Sequence, residues 1–196
     1  PGQHAVRMGV DALSEMQQTL SQLMREEPTL GQAVAARDKL ERQLDARPGA
    51  MRIECINAGV SGMVAGQVLE LLRTDLADIQ ATAALVNLSN NDVDTQEFQR
   101  SLDGIARELL RRKMLVVFAL EPNSPERRPT DSRHGDLSVE HEIVRSVAAR
   151  SQRPVIDLHA YLTERRDAGL VWWDFVHLTS FGQRLVARKL AAELPT

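Results

Sequence analysis

Apolar positions along this chain follow two alternating rhythms. Five short runs stand out: His4–Val10, Met51–Ile56, Ala83–Leu88, Met114–Leu120 and Pro154–Leu158. Each is followed by turn-forming or polar residues and then by a helical pattern. Strand and helix in repeated alternation predict an α/β protein with a parallel sheet covered on both faces. Met114-Leu115-Val116-Val117-Phe118-Ala119-Leu120 is apolar without alternation, as a central strand buried on both sides should be.

The helices are read from spacings of three and four. Phe98, Leu102, Ile105, Leu109 and Leu110 share one face. Ser180-Phe181-Gly182-Gln183 has a capping-box pattern and opens a last helix that buries Phe181, Leu185, Val186 and Leu190. Ala33–Leu44, Val64–Leu72 and Val139–Ala149 supply three more, and Leu13, Met16, Leu20 and Met24 suggest another across residues 13–30. The Pro-containing stretch from Glu121 to Gly135 reads as a long loop flanking the carboxyl edge of the sheet. No internal repeat or low-complexity segment interrupts the pattern, and 196 residues suit one domain spanning 1–196.

Composition narrows the function classes. Net charge is −3, so no basic field draws in nucleic acid. No apolar run reaches the roughly 18 residues of a membrane span. No leader pattern is legible, which leaves the compartment open, and oligomeric state is not legible either. The lone Cys55 lies in a strand-like stretch and reads as a buried, inert thiol. His134 and His141, with Asp136 and Glu142 nearby, form only a loose metal-like cluster. They read as solvated loop and helix residues, so neither a metal nor a cofactor is expected.

The chemistry concentrates at loops that follow the strands. Trp173-Asp174-Phe175-Val176-His177 sets an Asp three residues before a His, ahead of a helix. A carboxylate at that spacing can accept the ring Nδ1–H and leave Nε2 free to take a proton from a nucleophile. Ile56-Asn57-Ala58-Gly59-Val60-Ser61-Gly62 follows the second run, and Leu88-Ser89-Asn90-Asn91-Asp92 the third. In an open parallel sheet ligands sit beyond the carboxyl ends of the strands, so these loops should converge on one crevice.

In that chain order, N-x-G-x-S-G, then x-x-N-D, then D-x-x-H resemble the blocks of the SGNH (GDSL-type) serine hydrolases, over about residues 5 to 194. The resemblance implies a three-layer α/β/α, flavodoxin-like fold with a five-stranded parallel sheet. It also implies His177 as general base, Asp174 as its orienting partner, and Gly62 N–H with the Asn91 amide as oxyanion donors. No cofactor is implied.

Two positions depart from the family pattern. Val10-Asp11-Ala12-Leu13-Ser14 stands where the family has G-D-S-L-S, which puts Ala12, without a hydroxyl, at the nucleophile position. A deliberate Ser→Ala replacement, natural degeneracy, and a shifted register with Ser14 as nucleophile all fit. Ser89 stands where the family usually has Gly, which would narrow the space beside Asn91. Ser61 fails the lipase-type G-x-S-x-G elbow because Met63 takes the last Gly position.

What the resemblance implies is a carboxylic-ester hydrolase that removes small acyl groups, such as acetyl, from a small-molecule or carbohydrate ester. Glu121, at the end of the fourth run, and Trp173, beside Asp174, are the candidate substrate contacts. Transfer of the acyl group to a sugar hydroxyl, or a non-catalytic carbohydrate-binding role, are the competing readings.

Overall fold

A computed structural model describes residues 54–125 and 137–194. Three parallel strands, β1 (Ala83–Val86), β2 (Leu115–Leu120) and β3 (Val155–Asp157), lie in the order β1-β2-β3. Ala83 pairs with Leu115 at one seam and Phe118 with Val155 at the other. Helix α1 (Ala65–Arg73) precedes β1, and α2 (Thr95–Arg111) and α3 (Ser138–Ser151) are the two crossovers. Short α4 (Leu158–Thr163) leaves β3 directly, a 3-10 turn spans Arg166–Ala168, and α5 (Ser180–Glu193) closes the description. Among these residues no helix is long and apolar enough to cross a membrane.

Strand β2 shows why the chain forms layers. Successive side chains of a strand point to opposite faces, and here both faces are buried from Val116 to Leu120. Val116, Phe118 and Leu120 enter one core with Ala65 of α1, with Phe98, Leu102, Ile105 and Leu109 of α2, and with Val144 and Val147 of α3. Val117 and Ala119 face the other way, into a core with Ile156, Leu158 and Leu190 of α5. Helices therefore cover the parallel sheet on both sides, the α/β architecture expected from the alternating pattern.

Several elements differ from expectation. Residues 54–60 carry no strand assignment, so the second apolar run does not extend as a strand to Ile56. Cys55 is accordingly half-buried rather than buried. The cap of α5 is Thr179, not Ser180: the Thr179 hydroxyl accepts from Gly182 N at 3.1 Å and also donates to the Leu170 carbonyl. Thr179 takes the role because it, and not Ser180, closes the antiparallel pairing of 171–179, its N–H bonding Val171 O at 2.9 Å. Phe181 and Val186 are half-buried. The expected first strand, the helices over 13–30 and 33–44, and residues 126–135 of the long loop lie outside the described residues.

His141 departs furthest. It was expected in solvent, yet it is 8% exposed, with its ring edge-on to His159 at 5.2 Å. Burial, with the charge of neighbouring His159 second, lowers its pKa to about 4, against the opposing pull of Asp157. A folded pKa below the unfolded 6.5 means the unfolded chain takes up this proton first. The His141 contribution is therefore complete above pH 6.5 and lost as pH falls toward 4, a change on the order of 3 kcal/mol. Melting temperatures recorded across that window should fall, and His141→Gln should flatten the slope; an unchanged slope would assign the acid sensitivity to other groups.

Candidate active site

The loop after β1 is tied down by three consecutive side chains. Asn90 Oδ1 accepts from Asn123 Nδ2 at 2.6 Å, Asn91 Nδ2 donates to Met63 O at 3.1 Å, and both Asp92 oxygens accept from Ala65 N at 3.1 Å. Ala65 is the first residue of α1, whose N-terminal N–H groups have no partner within the helix. Asp92 thus caps that helix from another loop, with a negative charge where the helix dipole favours one. Burial lifts its pKa above the usual carboxylate value, with the Ala65 N–H pulling the other way.

Gly62 belongs to this same corner. It has φ +78° and lies in an exposed turn just before Met63, and a left-handed backbone favours glycine. The Asn91 bond to Met63 O brings the Asn91 amide beside the Gly62 turn. An amide has two N–H groups, so one can serve Met63 while the other remains for a ligand.

The second half of the site is the loop between β3 and α5. Asp174 Oδ1 accepts from Val176 N at 2.8 Å and from His177 N at 2.7 Å, and Oδ2 lies 2.8 Å from His177 Nδ1. Partial burial works to raise the Asp174 pKa, but these hydrogen bonds outweigh it and hold the carboxyl below its usual value. An ionised carboxylate only accepts, so the proton of this contact belongs to Nδ1 and neutral His177 presents a bare Nε2. Trp173 N donates to His177 O at 2.7 Å, and Trp172 and Leu178 form an antiparallel bridge, which makes the loop a tight finger. The side chains of His177 and Asp174 are 49% and 38% exposed. An ion pair that open contributes little to stability, which leaves orientation of the imidazole as its main effect.

The two halves are joined by the segment that follows β2. Trp172 Nε1 donates to Pro122 O at 2.7 Å, and Ser124 N donates to Phe175 O at 2.9 Å. Glu121, the first residue past β2, has its pKa pushed up to about 8 by burial, with the charge of Asp92 adding to the effect. It is neutral near pH 7 and able to donate a hydrogen bond. Trp173 is 65% exposed beside Asp174. Ser89 is buried and its hydroxyl has no hydrogen-bond partner among the described residues.

Of the residues singled out in the sequence, Gly62 and Asn91 are therefore neighbours, as are Asp174 and His177. Ala12 and Ser14, like His134, lie outside the described residues. The capping role of Asp92 and the joining role of Asn123 were not anticipated. Asp92 stood inside a recognised motif, but nothing local marked Asn123. Among the described residues no three His, Cys, Asp or Glu gather as a metal ion requires.

A parallel sheet with helices on both faces defines an α/β/α protein, with an imidazole held by a carboxylate on a loop after its last described strand. Solved structures share that fold. An acetyl xylan esterase is 19% identical, with 82% of this chain and 90% of that one covered at a TM-score of 0.69. The lipase/acylhydrolase from Enterococcus faecalis is 20% identical, covering 81% and 84% at 0.69. An acetylxylan esterase from Geobacillus stearothermophilus is 16% identical, covering 80% and 79% at 0.68. A search of curated proteins gave no significant match. The chain belongs to the GDSL-like Lipase/Acylhydrolase family, whose model matches residues 24–185. It is an ester hydrolase of the SGNH type. The matched segment includes Gly62, Asn91, Asp174 and His177 and begins after Ala12.

Proposed function

We propose that this single-domain chain carries the site of a serine esterase that removes small acyl groups, acetyl foremost, from a carbohydrate. The observation that supports it most is the Asp174–His177 contact, in which a carboxylate fixed by two backbone N–H groups holds Nδ1 at 2.8 Å. In this reading position 12 is the nucleophile position. A serine hydroxyl there attacks the ester carbonyl carbon as His177 Nε2 takes its proton. The oxyanion is met by the N–H groups of Gly62 and of position 12 and by Asn91 Nδ2, donors whose individual loss typically costs ~10²–10³ in turnover. The C–O bond to the alcohol then breaks, His177 returns the proton to the leaving oxygen, and water repeats the sequence on the acyl-enzyme.

The exposed Trp173 ring is suited to stacking on a sugar, and neutral Glu121 to donating to a substrate hydroxyl. The acetyl xylan esterases among the structural neighbours favour the same substrate class. With Ala12 in place the chain lacks the attacking oxygen, and only residual turnover is expected.

Hydrolysis of p-nitrophenyl acetate by the chain, by Ala12→Ser, and by Ala12→Ser with His177→Ala tests this. A rise of ~10³ or more with serine, abolished by the His177 change, is the expected result. Turnover in the parent with no gain from Ala12→Ser moves the nucleophile elsewhere, with Ser14 next in line. Silence from every variant, with saturable sugar binding, points to a carbohydrate-binding protein. Products that appear only with a sugar acceptor point to acyl transfer.

A further inference from the structure

We propose that Asn123 is a positioning residue for this ester hydrolase, one that sets the Asn91 amide through Asn90 and ties it to the His177 loop; the inference rests on the esterase reading of Asn91 and His177. Asn123 is 4% exposed, its Nδ2 donates to Asn90 Oδ1 at 2.6 Å, and its buried Oδ1 has no hydrogen-bond partner among the described residues. Turning the Asn123 amide alone would set two acceptor oxygens face to face. A buried acceptor without a partner is a net cost to the fold. An apolar side chain would avoid that cost, so stability alone does not account for an asparagine here.

The geometry supplies the other account. On one side, the bond from Asn123 fixes Asn90, the residue directly before the Asn91 amide that bonds Met63 O at 3.1 Å. On the other, the flanking backbone holds the histidine finger, Pro122 O taking the Trp172 indole N–H and Ser124 N bonding Phe175 O. Asn123 thus lies between the two halves, its side chain bonded to Asn90 and its backbone neighbours to the histidine finger. Errors of about 1 Å in such a separation are enough to lower turnover by ~10²-fold.

The deciding measurement needs no turnover. Side-chain ¹⁵N relaxation of the Asn91 amide is recorded in the full chain, in Asn123→Ala and in Asn90→Ala. Its order parameter should fall in both variants; an unchanged Asn91 amide in folded variants overturns the proposal. If Asn123→Ala does not fold, Asn90→Ala decides alone, since it removes the same bond from a half-buried position. In the Ala12→Ser chain each change should lower kcat by about 10–100-fold with KM within about twofold, and the double variant should be no worse than either single. A lowered melting temperature with kcat intact would reduce Asn123 to a structural residue. Failure of the esterase reading looks different: there Asn91→Ala leaves kcat untouched in the Ala12→Ser chain, while the relaxation result stands.

Discussion

Asp174→Asn is expected to lower kcat by about 10⁴ in a chain with serine at position 12, with the fold intact. The isostere keeps an oxygen able to accept from Val176 N and His177 N, so the turn at 174–177 survives. What changes is the atom facing Nδ1. In the native chain that atom is a carboxylate oxygen, 2.8 Å away, and it demands a proton on Nδ1. In the variant it is an NH₂ group, which demands a lone pair there and moves the ring proton to Nε2. His177 would then offer an N–H to the nucleophile where a base is required, and the imidazolium formed during attack would lose its counter-charge. Stopped-flow hydrolysis of an activated acetyl ester at pH 7–8 checks this, with near-UV dichroism as the control for folding. A loss under tenfold would mean that Asp174 does not orient the base.

Gly182→Ala should have the largest effect on stability. A Cβ at position 182 would stand 2.3 Å from the Val171 carbonyl oxygen and 3.1 Å from a Leu178 methyl. The first of these is backbone, and the same oxygen accepts the Thr179 N–H at 2.9 Å. It cannot move without opening the pairing that closes the histidine finger. Overpacking in a tight site typically costs 1–3 kcal/mol, and here about 3 kcal/mol or more is expected because the contact is with main chain. Urea denaturation should show the midpoint falling with the slope unchanged. A loss below about 1 kcal/mol would mean that the first turn of α5 rotates freely away from Val171.

Both residues lie in a stretch that was legible in the sequence, for a physical reason. Asp174 and His177 are three apart, and the hydrogen bonds that orient the ring are made within that span. The same holds for β2 and α2, where unbroken apolarity and a spacing of three and four report burial directly. The structure differs wherever the deciding contact is remote. Asn123 and Asn90 are separated by 33 positions, and Asp92 reaches Ala65 across 27. Neither contact leaves a trace in the residues around it. His141 read as solvated because polar residues surround it in the chain, while its actual neighbour is His159, which follows the next strand. The α5 cap moved by one residue for a related reason. Thr179 and Ser180 both have hydroxyls, and only the pairing with residues 170–171 selects the first.

The two faces of β2 have a consequence for how such a site keeps time with its own scaffold. Gly62 and Asn91, the proposed oxyanion donors, lead into α1 and α2, which press on one side of the sheet. His177 leads into α5, which presses on the other. The gap between the two halves of the proposed site therefore spans a three-ply laminate, and its width would depend on how firmly the plies are glued. On the proposed reading, core residues such as Phe118 on one face and Ala119 on the other would act as shims for that gap. Repacking either face would then reset the spacing between the proposed base and donor while leaving every residue of the site in place.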